Sequence, residues 1–257
     1  QAVKADGRPH EILVVDNGST DGSREYLRRF YPDVRVLALP RNLGFAEGNN
    51  EGVRAARHDV VILLNNDMVV DPGFIRPLLD GFRQETFAVS SRILMQDRSL
   101  VRHETGRTTA VFRRGRIDFG HRDLDGPPFS RACHPVFWAG GGASAFHRER
   151  FLALGGFRRL YSPAYVEDVD LSYQAWSLGW EVTLAPESVV YHKHRASSLR
   201  RFSPSELQVL VSRNHFLFLW TNIYDWTMLL GHGLFLPWNC YRLTRDHGVF
   251  LWKSVLQ

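Results

Sequence analysis

The sequence predicts an α/β protein, a mostly parallel sheet flanked by helices and followed by a hydrophobic helical extension. Three observations carry this. Short apolar runs at 11–16, 34–39 and 60–66 alternate with segments of helical period, the pattern of strand–helix–strand units. The run Val60-Val61-Ile62-Leu63-Leu64 is continuous, as expected of a strand covered on both faces. Each run gives way abruptly to Asn, Asp and Gly. In open α/β sheets the carboxyl ends of the strands face the ligand.

The 257 residues suffice for one large α/β domain or two small ones. We expect residues 1–200 to form the α/β unit and 201–257 a helical extension. A composition of 44% hydrophobic and 23% charged residues is ordinary for a globular chain. The formal net charge is +5, and its cations are nearly all arginine. That excess suits an anionic ligand, an anionic membrane surface or nucleic acid. No nucleic-acid motif accompanies it, so nucleic acid ranks last. Cys133 and Cys240 lack metal-type spacing and imply a reducing compartment. No secretory signal pattern is evident at the start.

The first strand ends at Asp16. Asn17-Gly18-Ser19-Thr20-Asp21-Gly22 follows, then a helix over 23–30 with Thr20 or Asp21 as its N-cap. The second strand leads into Pro40 to Gly52, a Gly- and Asn-rich loop entering a helix that ends near Arg57. Such a loop is either plain turn chemistry or a close approach to phosphate at a helix N-terminus. The third strand ends in Asn65-Asn66-Asp67, which reads either as a capped strand end or as a carboxylate placed to hold a divalent cation and, through it, a diphosphate. Asp71-Pro72 predicts a helix start, with Ile75, Leu78, Leu79 and Phe82 buried and a kink at Pro77. A strand follows over 88–95.

Residues 96–131 are arginine-rich and read as a long, partly irregular insertion. Residues 136–146 read as a strand interrupted by Gly140, Gly141 and Gly142, a bulge or a ligand approach. A helix over 148–154 stops at Gly155-Gly156. Glu167-Asp168-Val169-Asp170 opens a helix reaching Leu178. Its three carboxylates suit the helix dipole but exceed what a cap requires. Residues 181–185 and 189–192 read as two short strands, ending at His192 beside Lys193 and His194. Ser203-Pro204-Ser205-Glu206 predicts a helix with a capping box. Beyond it, Trp220, Trp226, Trp238 and Trp252, with Arg242, Arg245 and Lys253, suit either helices lying in a membrane interface or a hydrophobic flank packed on the domain.

Taken in order, several motifs resemble one family. They are Val15-Asp16-Asn17-Gly18-Ser19-Thr20-Asp21-Gly22-Ser23, Asn42-Leu43-Gly44-Phe45-Ala46, Leu64-Asn65-Asn66-Asp67, Gly141-Gly142-Ala143, Glu167-Asp168-Val169-Asp170-Leu171, and His192 with Ser197. The set resembles the family 2 glycosyltransferases of the GT-A fold over about residues 10–215. The Asn-Asn-Asp form and the loop 161–165 look most like a bacterial, rhamnosyltransferase-like branch.

The resemblance implies an inverting transfer from a nucleoside-diphosphate sugar to a hydroxyl of a glycan or lipid-linked acceptor, on the cytoplasmic face of the membrane. It places Asp16, Asn17, Ser19, Asn42, Gly44, Asn49, Asn66 and Gly142 around the nucleotide-sugar, with Asp16 on the base and Asn66 facing the ribose. Asp67 and His192 would ligate Mg²⁺ or Mn²⁺. Asp168 would be the catalytic base, with Glu167 and Asp170 positioning it or the acceptor. Three departures stand out. The family has a further strand and helix before Glu11, so the chain reads as N-terminally incomplete. Asn66 replaces an acid. Gln174 stands where arginine is common. A truncated, inactive relative that binds glycan or membrane is the competing expectation.

Overall fold

The computed structural model describes residues 7, 9–95, 103–105, 107–122, 132–192 and 202–247. Ser197, Lys193 and His194, Arg98, Arg102 and Arg131, and Trp252 with Lys253 lie outside them. The chain builds β1 (Leu13–Asp16), α1 (Ser23–Phe30), β2 (Arg35–Ala38), α2 (Gly44–Ala55), β3 (Val60–Leu64), β4 (Met68–Val70) and α3 (Ile75–Asp80). Then come β5 (Thr86–Met95), β6 (His103–Thr105), β7 (Arg107–Arg113), β8 (Arg116–Arg122), β9 (His134–Pro135) and β10 (Ala143–His147). The last elements are α4 (Arg148–Ala153), α5 (Glu167–Ser177), β11 (Glu181–His192), α6 (Pro204–Asn222) and α7 (Trp226–His247).

β1 and β2 pair in parallel, Leu13 opposite Arg35. The larger sheet runs β3-β10-β5-β11-β4, with β6 on β5 and β9 on β11. It is more mixed than expected. β5 and β11 are parallel, but β10 is antiparallel to both β3 and β5, and β4 is antiparallel to β11. A parallel neighbour needs a crossover, and only three residues separate β3 from β4.

β3 is covered on both faces, as its apolar run implies. Val61 and Leu63 join a core with Phe87, Phe146, Phe151 and Phe157, while Val60 and Ile62 pack on the opposite core of Phe74, Leu78 and Val89. The period of two along the strand sets this division. A third core joins Ile117 and Trp138 to Tyr161, Val169, Phe218 and Leu219, so α6 is packed on the elements before it.

Several boundaries differ from expectation. α2 begins at Gly44, so most of the glycine-rich segment is helix and not loop. Asp71 does not cap a helix. Its carbonyl accepts the Phe74 N–H at 3.1 Å in a turn, and α3 starts at Ile75. Pro77 then falls in the first turn, where its missing N–H has no helical partner to lose. The described part of the arginine-rich segment holds β6 and a β7–β8 hairpin with Arg113 opposite Arg116. The three glycines precede β10 as a turn and do not interrupt it. β11 is one strand with an irregularity between Ala185 and Val189. Left-handed Gly22 sits at the start of α1, with Asp21 accepting the Ser23 N–H at 3.1 Å. The capping box on α6 is as expected: Ser203 Oγ accepts the Glu206 N–H at 3.3 Å and Glu206 accepts the Ser203 N–H at 2.8 Å.

Phe146 is fully buried, with ring contacts to Phe87 at 5.7 Å, Phe151 at 5.5 Å and Phe157 at 6.2 Å. Phe146→Ala should remove about 3–5 kcal/mol of stability, measured by urea unfolding.

Candidate active site

The carboxyl ends of β3, β5 and β11 share one edge of the sheet, because β5 and β11 are parallel and β10 is antiparallel to β3 and β5. The chemistry-bearing residues gather there. Asp67 leaves the turn after β3, and His192 closes β11. They meet with His192 Nε2 3.4 Å from Asp67 Oδ2. The other oxygen, Asp67 Oδ1, is buried and accepts no hydrogen bond. A buried carboxylate oxygen ordinarily has a partner. A buried carboxylate oxygen with no hydrogen-bond partner, on a side chain beside an imidazole nitrogen, fits a divalent cation bound by oxygen and nitrogen donors. Among the described residues, no group of three or more His, Cys, Asp or Glu forms a metal cluster.

The glycine turn joins this pair to the acids of α5. The Asn65 N–H donates to the Gly142 carbonyl at 2.8 Å, and the Gly141 N–H donates to Asp168 Oδ2 at 3.2 Å. A Cβ on Gly142 would stand 2.8 Å from Asn65 Nδ2, and one on Gly141 would press on Phe45 and Phe157 at 3.1 Å. Glycine is needed here because two loops close on this backbone.

Asp168 and Glu167 start α5 side by side. Burial pushes the Asp168 carboxyl up from its ordinary range, against the N–H donors of Gly141 and Val169. Burial, and then the Asp168 charge, push Glu167 up to about 8. Two adjacent acids in one dry place hold a proton between them more readily than either would alone. Asp170 is different. It is fully buried, and its Oδ1 accepts from Tyr161 Oη at 2.8 Å, Asn222 Nδ2 at 2.6 Å and Arg158 at 3.4 Å. Gln174 donates to its Oδ2 at 2.7 Å. Asp170 therefore faces the core and ties α5 to α6, which limits it to positioning. Arg158 also donates to Gln174 Oε1 at 3.1 Å, so a guanidinium serves this carboxylate from a loop and not from the helix position held by Gln174.

The remaining predicted residues form a second group. Asn17 bridges two loops: its amide donates to the Gly44 carbonyl at 2.9 Å and its Oδ1 accepts the Leu43 N–H at 2.8 Å. Asn42 Oδ1 accepts the Gly44 N–H at 2.8 Å. Asp16 is buried, accepts the Ser19 N–H at 3.1 Å and pairs with Arg24. Hydrogen bonds from Ser19, then from Arg24, hold its carboxyl below the usual range against burial. Asn66 is exposed at the turn after β3. Asn49 lies inside α2 with its amide on the Phe45 carbonyl at 2.9 Å, so it serves its own helix.

Four residues hold the site together in roles that sequence reading did not give them. Asn50 is buried and spans the Phe157 backbone, donating to its carbonyl and accepting its N–H, both at 2.9 Å. Asn214 donates to the carbonyls of Tyr161, Ala164 and Tyr165 at 2.8, 3.1 and 2.9 Å. Asn222 and Arg158 complete the Asp170 node. The available signal was two asparagines, Asn214 and Asn222, in an apolar helix.

A carboxylate–imidazole pair and a buried acid pair thus stand on either side of one glycine turn at the carboxyl edge of the sheet. The family model "Glycosyl transferase family 2" matches residues 1–139. The chain is 30% identical over 225 positions to an N-acetylglucosaminyl-diphospho-decaprenol L-rhamnosyltransferase of Mycobacterium tuberculosis, covering 78% of this chain and 71% of the relative. The protein belongs to glycosyltransferase family 2 and resembles its rhamnosyltransferases. Among solved structures, GalNAc-T7 with UDP, GalNAc and Mn²⁺ superposes with a TM-score of 0.60 at 18% identity, over 79% of this chain and 41% of that one. S. aureus TarS 1-349 with UDP-GlcNAc gives 0.58 at 13% identity, over 91% and 66%. These likenesses establish the fold.

Two outcomes test this geometry. Glu167 binds its proton more tightly folded than unfolded, from an ordinary value of 4.5 up to about 8. Its contribution to stability is full below pH 4.5 and is lost as pH rises toward 8. Thermal unfolding across that window should fall with pH, and Glu167→Gln should flatten the decline. Asp170→Ala should destabilise by about 1–3 kcal/mol for each buried donor it strands, read by urea unfolding.

Proposed function

We propose that the protein transfers a sugar, with inversion, from a nucleoside-diphosphate donor to a hydroxyl of a lipid-linked or glycan acceptor. The observation that carries this is the glycine turn that hydrogen-bonds both the Asp67 strand end and Asp168. It puts a leaving-group end and a base end on one rigid piece of backbone. The Asp16–Ser19 and Asn42–Gly44 loops, clamped by Asn17, are the nucleotide side.

Asp168 takes the acceptor hydroxyl proton as that oxygen attacks the anomeric carbon, opposite the departing diphosphate. A base whose pKa is raised above the ordinary carboxylate range suits this transfer. Glu167 beside it tunes that basicity, and Asp170 fixes the helix start. Asp67 and His192 would hold Mg²⁺ or Mn²⁺, and bound metal supplies charge stabilisation to the leaving diphosphate. A single displacement has no need of a second carboxylate as nucleophile. The mycobacterial relative's name supports a diphosphate-linked lipid acceptor and a deoxyhexose. α7 supports work at a membrane surface, on the cytoplasmic face where we place it. No helix among the described residues is long and apolar enough to cross a bilayer, yet α7 leaves Trp226, Leu230 and Leu234 exposed.

Calorimetric titration with UDP-, dTDP- and GDP-sugars, with and without Mn²⁺, tests the reading. Asp67→Ala should abolish the metal-dependent part of binding. Asp168→Asn should keep donor binding and lower turnover about 10²–10⁴-fold. Full turnover by a folded Asp168→Asn enzyme, or no donor bound at all, defeats it.

A further inference from the structure

The chain leading into the glycine turn lies against α5, and the helix meets it at a regular interval. The Trp176 indole N–H donates to the Phe137 carbonyl at 3.1 Å. Ser172 Oγ accepts the Ala139 N–H at 3.2 Å. Asp168 Oδ2 accepts the Gly141 N–H, also at 3.2 Å. Steps of four residues along α5 thus meet steps of two along the segment, in opposite directions. The two repeats keep pace, because four helical residues advance about 6 Å and two residues of extended chain about 6.6 Å. Residues four apart also share a helix face. The side chains of Trp176, Ser172 and Asp168 therefore form a ladder on the backbone of one segment, with the Asp168 carboxylate as its last rung.

Ser172 is the middle rung, and it is fully buried. Its hydroxyl proton goes to the Asp168 carbonyl at 2.8 Å, which leaves its lone pairs for the Ala139 N–H. One side chain thus joins the first turn of α5 to the backbone two residues before Gly141. Other contacts anchor the same segment elsewhere. The Thr108 carbonyl accepts the Phe137 N–H at 3.1 Å, and Thr108 Oγ1 accepts the Trp138 N–H at 3.0 Å. Ser144 Oγ donates to the Gly140 carbonyl at 2.7 Å. Those residues belong to β7 and β10, and neither strand carries Asp168.

We propose that Ser172, with Trp176, is a positioning residue for Asp168: it sets the register of α5 on residues 137–141 and so delivers the Gly141 N–H to the carboxylate. That Asp168 is the base rests on the transferase reading, whereas the ladder rests on its own contacts. Oδ1 takes the Val169 N–H of its own helix at 2.9 Å, so the Gly141 bond is what holds the carboxylate toward the turn. Both N–H donors oppose the burial that pushes this carboxyl up. Glu167 is the acid coupled beside it, while Asp170 and Arg158 pair with one another. A weakened Gly141 bond leaves burial less opposed, so the carboxyl should rise further.

The test reads Asp168 directly, by ¹³C NMR titration of the whole protein labelled at its aspartate carboxyls. The signal is assigned by its loss in Asp168→Asn. Ser172→Ala should raise the Asp168 midpoint by about one pH unit, the size of one hydrogen bond to a charged group. Trp176→Phe keeps a ring, removes the N–H and should move the midpoint the same way. Ser172→Thr keeps the hydroxyl and should leave the midpoint near that of the wild type. Ser188→Ala removes a hydroxyl buried as deeply but bonded to the Phe74 carbonyl and Ser91, and should not move it. With a UDP- or dTDP-sugar that the wild type turns over, Ser172→Ala should lower kcat about tenfold or more and leave the donor KM unchanged. An unmoved midpoint in folded Ser172→Ala, or in Trp176→Phe where the alanine variant does not fold, overturns the proposal. An equal rise in Ser188→Ala overturns it too. A rise confined to the ladder variants, in a protein that turns over no donor, would uphold the ladder and sink the transferase reading.

Discussion

A few hydrogen bonds to the turn Gly140–Gly142 set the geometry of the whole functional edge. On one side the turn accepts from Asn65, and on the other it donates to Asp168. Side chains at Gly141 or Gly142 would hold the loops apart, as the 2.8 Å approach of Asn65 to a Gly142 Cβ demonstrates. Three glycines cost conformational entropy in the unfolded chain. The return is a backbone surface close enough to couple a strand end to a helix start. Ser144 Oγ, bonding the Gly140 carbonyl at 2.7 Å, anchors the turn to β10.

The helix α5 depends in turn on α6. A helix start with three carboxylates is favoured by its dipole, but burying those carboxylates opposes it. Asp170 resolves its share through Tyr161, Asn222, Arg158 and Gln174. Asn214 secures the preceding loop through three carbonyls. Glu167 and Asp168 lack donors of that number, and burial raises both carboxyls above their ordinary range. Neighbouring acids in one motif therefore separate into a structural anchor and a pair whose carboxyls burial raises. The difference lies in which donors reach them.

The C-terminal helices serve two purposes on two faces. The inner side of α6 fills the third core with Phe218 and Leu219, while α7 carries the exposed aromatic stripe and pins the arginine hairpin at the Arg114 carbonyl. The packed flank that the sequence allowed describes α6, and the interfacial helix is what we propose for α7, whose stripe is exposed. Hydrophobic residues spread along 216–238 could not apportion themselves between core and surface without the partner elements.

Much of the chemistry was legible in local order. The strand end at Asn65-Asn66-Asp67, the acid cluster at 167–170 and the capping box at Ser203 and Glu206 each rest on contacts within a few residues, and short-range physics fixes those. The meeting of Asp67 with His192, 125 positions away, required β4 to pair antiparallel with β11, which the sequence does not encode locally. The same holds for Asn214 and Asn222: their partners are distant backbone and a distant acid, so in the sequence they were only polar residues in an apolar helix. Helix 71–82 and the glycine-rich segment were misjudged at their starts because several residues there could all nucleate a turn, and tertiary packing chose among them. By itself the sequence determined the residue types at the ligand edge and the family they belong to. Only the tertiary structure decided which carboxylates are satisfied and which are raised by burial, because both outcomes depend on burial and on partners remote in the chain.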